Sequence, residues 1–418
     1  MSDGSIGFQA AGALGMTSID EALRRYAVTI VPLPPMTTLL GGALERVLAA
    51  PAASRIDLPP FVQSSMDGYA LRSADTAGAT DAKPARLRLA GVVPAGVLAD
   101  PLDVRPGTAV RIYTGGHVPA GADTVLPQED AEVDESTLLV RRPVPAGEYV
   151  RGCGEELARG TTIADAGVRV SPGLVGALAV AGIADVVVSR APKVAVLTTG
   201  DEVVAPGREL ELGEIYDGNA PMAAAWLSAN GYTDVTVGHL PDDLGATTRA
   251  LEAALDETDL VIVTGGVSVG DRDFVPAAAR QAGAEEIFWR VAQRPGKPLL
   301  FAKRGKTPLL GLPGNPAAVF VCLTIHVRRV LELLEGVADP RPTFAAGVMQ
   351  FPVAPIESRE LWARCQTAVG DDGKVALTAL PRQASHMISN LAECTALARI
   401  PAGRDEVPAG RVVAWTRC

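Results

Sequence analysis

Between residues 190 and 335, short apolar runs alternate with segments of helical periodicity. The runs KVAVLTT, DVTVGHL and DLVIVTG are almost continuously apolar, and the amphipathic stretch LGATTRALEAAL lies between the last two of them. Strands that are apolar on both faces belong to parallel sheets that helices cover on each side. The sequence therefore predicts a central, doubly wound, mostly parallel α/β domain at 190–338.

The flanking segments have the pattern of β structure. Short alternating runs at 56–144 and 339–418 are separated by Gly and Pro, which is typical of small sheets and barrels. A chain of 418 residues also exceeds the size of a single core. We expect a small β domain at 56–144 and a C-terminal β-barrel-like domain at 339–418. Residues 17–55 and 145–189 are assigned to a split helical and mixed linker or dimerisation domain, and residues 1–16 to a disordered tail.

The most apolar run is GLVGALAVAGIA at 173–184. It is shorter than the roughly 18–20 residues that cross a bilayer, so it predicts a buried helix followed by a strand. The N-terminus has no cationic segment followed by an apolar one, so no signal peptide is expected. Five widely spaced cysteines fit a reducing compartment, and we expect a cytoplasmic protein.

The overall charge narrows the choice of partner. The net charge is −10 and no Lys/Arg-rich run occurs, which argues against nucleic acid or an anionic membrane. An anionic small ligand needs a local concentration of basic residues. The stretch RVAQRPGKPLLF supplies one, with Arg290, Arg294 and Lys297. It is interpreted either as a solvated loop or as a clamp for phosphate or another oxyanion.

Four unusual loops follow apolar strands of the α/β domain or precede its long helix. They are TTGDEV (198–203), PDD (241–243), TGGVSVGDRD (264–273) and GLPGNP (311–316). Each alone is typical of a tight turn. Ligands of doubly wound sheets bind at the carboxyl ends of strands, so the four loops together predict a site there. Glycine-rich backbone and a helix N-terminus suit an anion, and the acids suit a cation.

The stretch 266–270 also matches G-x-S-x-G, the nucleophile elbow of serine hydrolases. That mechanism needs a sharp strand-to-helix turn and then an acid and a histidine. Here Pro276 delays the helix, His326 lies in an apolar helix and His386 lies in the C-terminal domain. We therefore favour an oxyanion cradle in which Ser268 donates a hydrogen bond, and keep a Ser268 hydrolase as the alternative.

Several stretches, taken together and in this order, resemble the molybdopterin molybdenumtransferase family, which comprises bacterial MoeA and the gephyrin and plant E domains. They are PPFVQSSMDGYALR, VRIYTGGHVPAGADTVLPQED, TGDEV, GEIYDGN, VIVTGGVSVGDRDF, RPGKPLLF and GLPGNPAAVF. The resemblance covers nearly the whole chain beyond the N-terminal tail.

The resemblance implies an enzyme of molybdenum cofactor biosynthesis. Such an enzyme inserts molybdenum from molybdate into adenylylated molybdopterin, releases AMP and uses Mg²⁺. The resemblance also implies an elongated homodimer of four-domain subunits, with each site between the α/β domain of one subunit and the MDGYA region of the other. Molybdopterin adenylyltransferase and molybdenum-cofactor-dependent enzymes are the implied partners.

The resemblance also assigns roles to individual residues. The implied catalytic residues are Asp67, Thr114, Glu202, Asp242, Asp273 and Lys297. The implied ligand-binding residues are Gly265, Gly266, Ser268, Gly270, Arg290, Arg294, Pro313, Gly314, Asn315 and Pro316. Because carboxylates repel molybdate, the four acids Asp67, Glu202, Asp242 and Asp273 are assigned to Mg²⁺ or its waters.

Three positions depart from the family pattern. Glu156 stands where the family often has Asp, and Arg290 and Arg294 stand where some relatives have Lys. The charge is kept, but the reach and the hydrogen-bond geometry of the side chains are not. These changes leave open a second alternative, a non-catalytic molybdopterin-binding assembly protein. The sister molybdopterin adenylyltransferase is disfavoured because it lacks the surrounding β domains.

Overall fold

The structure, a computed structural model, describes residues 15–97, 103–268 and 273–418. Residues 1–14 of the predicted tail and Gly270 of the predicted site lie outside this part. The α-helices are Ile19–Thr29, Pro172–Val180, Asn219–Ala229, Leu244–Glu257, Val275–Gln281, Pro316–Cys322 and Arg328–Leu334. One π turn, Leu323–Val327, joins the last two into a single long helix. Short 3₁₀ turns are Leu40–Gly42, Ser73–Thr76, Gln128–Asp130 and Leu391–Glu393.

The central sheet has the predicted α/β architecture. Its six strands lie in the order Val235–Leu240, Val194–Thr199, Leu260–Thr264, Thr307–Leu312, Leu300–Arg304 and Glu285–Trp289. The first four are parallel and the last two antiparallel to their neighbours. Separate apolar cores cover the two faces, so the continuous apolar runs are explained and the prediction of a mostly parallel sheet is confirmed. The carboxyl ends of the parallel strands meet at one rim.

The first helix packs against this α/β domain. Ser18 caps it by accepting a 3.2 Å hydrogen bond from the Glu21 amide, as the S-x-x-E pattern predicts. Its apolar face, with Ile19 and Tyr26, lies in the same core as Phe301. The sequence assigns the helix to the split domain. Periodicity indicates that one face is buried but not which neighbour buries it.

The split segment forms three short antiparallel ladders. These pair Pro35–Leu39 with Asp185–Ser189, Ala52–Ala53 with Thr162–Ala164, and Gln63–Ser64 with Val150–Arg151. The helix predicted at 173–184 and the strand predicted after it occur as Pro172–Val180 and Asp185–Ser189. The expectation that this helix is buried is wrong for the single chain, because only Leu178 is fully buried and Val180 is 64% exposed. The helix is apolar all round, so one apolar face remains after it packs.

The two β domains also occur as predicted. In the first, the strand order is Thr124–Pro127, Gly68–Leu71, Thr108–Ile112, Ala85–Val93, Thr137–Val140 and Glu132–Asp134. In the second, each strand pairs with the next in the spatial order Glu360–Val369, Val375–Ala379, Ala345–Met349, Val412–Arg417 and Ala396–Ile400. The last of these strands also pairs with the first. That closure makes a five-stranded barrel. The short strand Gln293–Arg294 pairs in parallel with Glu360–Val369 of this barrel. In the α/β domain, Val203–Val204 pairs with Ile215–Tyr216.

Candidate functional site

A cavity of about 1000 Å³ lies at the carboxyl rim of the central sheet. All four loops that the sequence singles out contribute to its wall. The predicted site residues that line it are Glu202, Asp242, Gly265, Gly266, Ser268, Asp273, Pro313, Gly314, Asn315 and Pro316. The chain topology therefore brings these ten residues together around one space of the size of a ligand site.

The TGG loop owes its path to its two glycines. Gly265 has φ +90° and Gly266 has φ +63°, values that L side chains rarely adopt. A Cβ atom on Gly265 would lie 2.6 Å from Thr199 Oγ1. The Gly265 amide donates to Leu312 O at 3.0 Å, so it is not available to a ligand. An anion held by this loop would have to use amides beyond Gly265.

The GLPGNP loop meets the TGG loop and begins the long helix. Asn315 is the N-cap and Pro316 the first helical residue, which places a helix N-terminus, with its partial positive charge, at the cavity. The loop is tied on two sides, because Asn219 Nδ2 donates to Gly314 O at 2.8 Å and Asn315 Nδ2 to Ser385 Oγ at 3.1 Å. The second contact links the C-terminal barrel to the site.

Three of the four predicted metal ligands line the cavity: Glu202, Asp242 and Asp273. The Asp242 amide donates to Asp201 Oδ1 at 3.0 Å, which ties its loop to the TTGDEV loop. In the described ranges, however, no three Asp, Glu, His or Cys side chains form a group that could hold a metal alone. Mg²⁺ is usually bound by only one or two protein carboxylates and completes its shell with water and ligand oxygens, and single acids of this wall suit that arrangement.

Asp67 and Thr114 lie together in the small β domain and do not line this cavity. Asp67 Oδ1 accepts hydrogen bonds from the Thr114 amide at 2.7 Å and from its hydroxyl at 2.8 Å. The amide first, and then the hydroxyl, hold the pKa of the Asp67 carboxyl below its ordinary value. Arg111 lies beside them, with its guanidinium over the rings of Tyr69 and Tyr113. Within one chain, this ionised carboxylate belongs to a separate cluster.

The predicted basic residues Arg290, Arg294 and Lys297 do not line the cavity. Lys297 and Arg294 are exposed, and Pro298, which follows Lys297, does line the cavity. The Arg290 guanidinium stacks on the Trp289 ring at 4.6 Å. Burial, and then the charge of Arg294, lower the pKa of Arg359. Two guanidinium groups so placed form a positive patch that the sequence did not reveal.

Sequence reasoning missed four residues at the cavity. They are Asp217, Asn219, Ser385 and His386. The first two lie in GEIYDGN, where Asp217 Oδ1 accepts from the Asn219 and Ala220 amides at the start of a helix. Buried Asn219 Oδ1 and Thr264 Oγ1 have no hydrogen-bond partner within the described ranges, and both residues line the cavity.

His386 bears on the hydrolase alternative. It lines the same cavity as Ser268, although it comes from the C-terminal domain. No hydrogen bond joins the two side chains in the part of the chain that is described. A serine nucleophile needs its base within hydrogen-bond reach, so the arrangement does not favour attack by Ser268.

Family models cover most of the chain. The MoeA N-terminal region (domain I and II) matches residues 17–182, a probable molybdopterin binding domain matches 195–333, and the MoeA C-terminal region (domain IV) matches 346–417. The chain is 34% identical over 403 residues to molybdopterin molybdenumtransferase 2 of Mycobacterium tuberculosis, covering 94% of this chain and 98% of that protein. The chain belongs to the molybdopterin molybdenumtransferase (MoeA) family.

Other members of the MoeA family support the same assignment. The molybdopterin molybdenumtransferase of Bacillus subtilis is 32% identical, with 94% of this chain and 92% of that protein covered. The crystal structure of the MoeA protein of Pyrococcus horikoshii superposes with a TM-score of 0.82 at 26% identity, covering 96% and 100% of the two chains. As a MoeA-family protein, the chain is a transferase of molybdenum cofactor biosynthesis. No helix in the described part of the chain has the length and apolarity needed to cross a membrane.

Proposed function

We propose that this MoeA-family transferase inserts molybdenum from molybdate into adenylylated molybdopterin and releases AMP. The observation that carries the proposal is the rim cavity, in which glycine loops, a helix N-terminus and three acids surround one space. Adenylylated molybdopterin is a pterin joined to AMP through a phosphoanhydride. Its phosphates suit the helix N-terminus and backbone amides, and its release of AMP needs charge neutralisation at the bond that breaks.

The basic residues beside the cavity would receive the second anion. Lys297 and Arg294 project from the loop whose Pro298 lines the wall, and Arg359 adds a third positive charge next to Arg294. Molybdate is a dianion, so an exposed ammonium and neighbouring guanidinium groups attract it. Carboxylates repel it, which supports a separate role for the acids.

Glu202, Asp242 and Asp273 would hold Mg²⁺ together with phosphate oxygens of the substrate. Their shared place in one wall fits such a shared ion better than a site built by protein alone. When bound, the ion would neutralise negative charge on the phosphoanhydride. The protein residues would orient the pterin nucleotide and keep its phosphates against the helix N-terminus.

We further propose a homodimer in which Asp67 completes the site of the other subunit. Several apolar side chains of the split segment are exposed in one chain: Leu39, Leu44, Val168, Val180 and Val187. A second copy packed against this segment would bury exposed apolar surface of this kind. Such a dimer could also bring the ionised Asp67 to the rim cavity of the partner, since Asp67 does not line the rim cavity of its own chain.

The proposed substrate and product indicate which enzymes act before and after this protein. Adenylylated molybdopterin would come from a molybdopterin adenylyltransferase, and the product would pass to molybdenum-cofactor-dependent enzymes. Five free thiols in the described chain suit a reducing, cytoplasmic location.

A direct turnover assay tests the reaction. Purified protein with adenylylated molybdopterin, molybdate and Mg²⁺ should release AMP and yield a molybdenum-containing pterin, measured by chromatography and metal analysis. Ser268→Ala should keep at least about a tenth of the turnover, because one lost hydrogen bond weakens binding by about tenfold or less. Tight pterin binding without AMP release would instead support the non-catalytic assembly protein, and complete loss in Ser268→Ala would revive the hydrolase.

Lys297→Ala should weaken binding of the anionic substrates more than it disturbs folding. Because the side chain is exposed, we expect the free energy of unfolding to change by about 0.5 kcal/mol or less. The KM for adenylylated molybdopterin and molybdate should rise at least about tenfold, because the positive charge that attracts them is lost. Lys374→Ala, which removes an equal charge from a hairpin of the barrel, is the matched control and should leave KM unchanged. Equal KM values for the two variants would contradict the clamp.

A further inference from the structure

A chain of buried hydrogen bonds ends at the loop that carries Lys297. Tyr26 Oη lies 3.2 Å from His326 Nδ1, and His326 Nε2 lies 3.0 Å from Gln293 Oε1. Gln293 Nε2 in turn lies 3.2 Å from Gly296 O, one residue before Lys297. Trp362 Nε1 of the C-terminal barrel also donates to Gln293 Oε1 at 3.1 Å. Tyr26, His326, Gln293 and Trp362 are fully buried.

The direction of every bond in this chain follows from chemistry. Indole Nε1 of Trp362 can only donate, so the oxygen of the Gln293 amide must face it and the amide nitrogen must face Gly296. The His326 Nε2 must then carry a proton in order to donate to the same oxygen. Burial lowers the pKa of His326 to about 3, so the ring is neutral at pH 7 and Nδ1 accepts from the Tyr26 hydroxyl.

The loop is built around the Gln293 amide. Gly296 has φ +100°, and a Cβ atom there would lie 2.5 Å from Gln293 Nε2. The turn therefore closes directly on the amide, with the Val291 amide donating to Lys297 O at 2.9 Å. The Gln293 side chain thus contacts the turn one residue before Lys297.

Packing alone does not require this arrangement. Burying an amide, an imidazole, a phenol and an indole N–H is costly unless each is paired, and Gln293 is the partner of the His326 ring and of the Trp362 indole. The polar atom that requires a partner on the loop side is the Gly296 carbonyl. The chain also joins three distant segments: the first helix, the π turn that bears His326, and the barrel.

We propose that Gln293, oriented by His326 and Trp362, is a positioning residue that sets the place of Lys297 and Pro298 at the rim cavity. It touches no substrate and acts through the turn at Gly296. Its role in turnover rests on the proposed function, whereas its effect on the placement of Lys297 does not.

A double-mutant cycle tests the proposal. Gln293→Met should raise KM for adenylylated molybdopterin and molybdate about tenfold, as expected for a displaced anchor. In the Lys297→Ala background, the same substitution should change KM by less than about twofold, because residues that act as a unit are not additive. Leu255→Ala, in the apolar core at the far end of its helix from the cavity, should lower stability and leave KM unchanged. The proposal would be overturned if Gln293→Met left KM unchanged. It would also be overturned if KM of the double variant rose by the product of the two single-variant increases.

A second pair of variants covers the case in which Gln293→Met does not fold. His326→Gln keeps a donor for Gln293 Oε1, and His326→Phe removes it at similar volume. We expect near-normal KM for His326→Gln and a KM raised about fivefold or more for His326→Phe. Equal KM values for the two would overturn the proposal.

A readout without turnover separates this inference from the proposed function. An amine-acylating reagent, followed by mass spectrometry, reports the reactivity of Lys297 in each folded variant. Gln293→Met should change the labelling rate of Lys297 at least about threefold and leave that of Lys374 unchanged, since only the first lysine stands on the turn. If wild-type protein releases no AMP but this change occurs, the proposed reaction fails and the positioning role stands. Unchanged labelling in Gln293→Met overturns the positioning role.

Discussion

Dimers of one Asp67→Asn subunit and one Lys297→Ala subunit should retain about half of the wild-type turnover, because each site of the proposed two-fold dimer takes residues from both chains. In such a dimer, the cavity of the Asp67→Asn subunit keeps its own Lys297 and receives Asp67 from the partner. That site is intact, and the other carries both defects. Each homodimer should have about a tenth of wild-type turnover or less at substrate concentrations below KM. Two affinity tags allow the mixed dimer to be isolated and its AMP release measured.

The reciprocal dimer is the control for this experiment. It pairs a subunit carrying both substitutions with a wild-type subunit, so its overall composition is the same. With shared sites, each cavity now lacks one of the two residues and turnover should be nearly lost. If Asp67 instead acts in the cavity of its own chain, the opposite result is expected. The first dimer should then be nearly inactive, and the reciprocal dimer should keep about half of the wild-type turnover. The pair of measurements therefore decides where Asp67 acts.

The structural basis for this expectation is the isolation of Asp67 within one chain. Its carboxylate is held ionised by Thr114 and does not line the rim cavity. Asn in its place keeps an oxygen for the Thr114 amide and hydroxyl, so the loop should fold normally. A loss of turnover would then reflect the missing charge.

The fold was largely predictable because its strongest signals are local. The continuous apolar runs at 194–199 and 260–264 mark strands buried on both faces, and the sheet topology then requires their following loops to meet at one rim. That is why Glu202, Gly265 and Asn315, far apart in sequence, were predicted to share a site. They do line one cavity.

What the sequence did not reveal depends on contacts between distant segments. His326 was interpreted as a residue of an apolar helix, yet its ring is paired with Tyr26 and Gln293, 300 and 33 residues away. His386 reaches the cavity only because the barrel docks beside it. The helix Pro172–Val180 was expected to be buried, since composition indicates an apolar surface but not whether the same chain or another covers it.

Gly265→Ala should lower kcat/KM at least about a hundredfold, because a displacement of about 1 Å at a reacting centre has effects of that size. The new Cβ atom would lie 2.6 Å from Thr199 Oγ1, inside van der Waals contact, so the loop or the strand end must move. Both elements line the cavity and carry neighbouring groups of the site.

Gly265→Ala combines two effects, the strain of a left-handed backbone and the displacement caused by the clash. A matched control variant that has only the first effect separates them. Gly231 has φ +86°, close to the +90° of Gly265, and nothing lies within 4 Å of a Cβ atom there. Gly231→Ala should lose about 1–2 kcal/mol of stability from the left-handed backbone, measured by denaturant unfolding, and Gly265→Ala should lose at least as much because of its added clash. Only Gly265→Ala should also lose turnover and pterin binding. Comparable activity in the two variants would mean that the TGG loop tolerates movement, and the rim cavity would then not be the place where the pterin nucleotide is held.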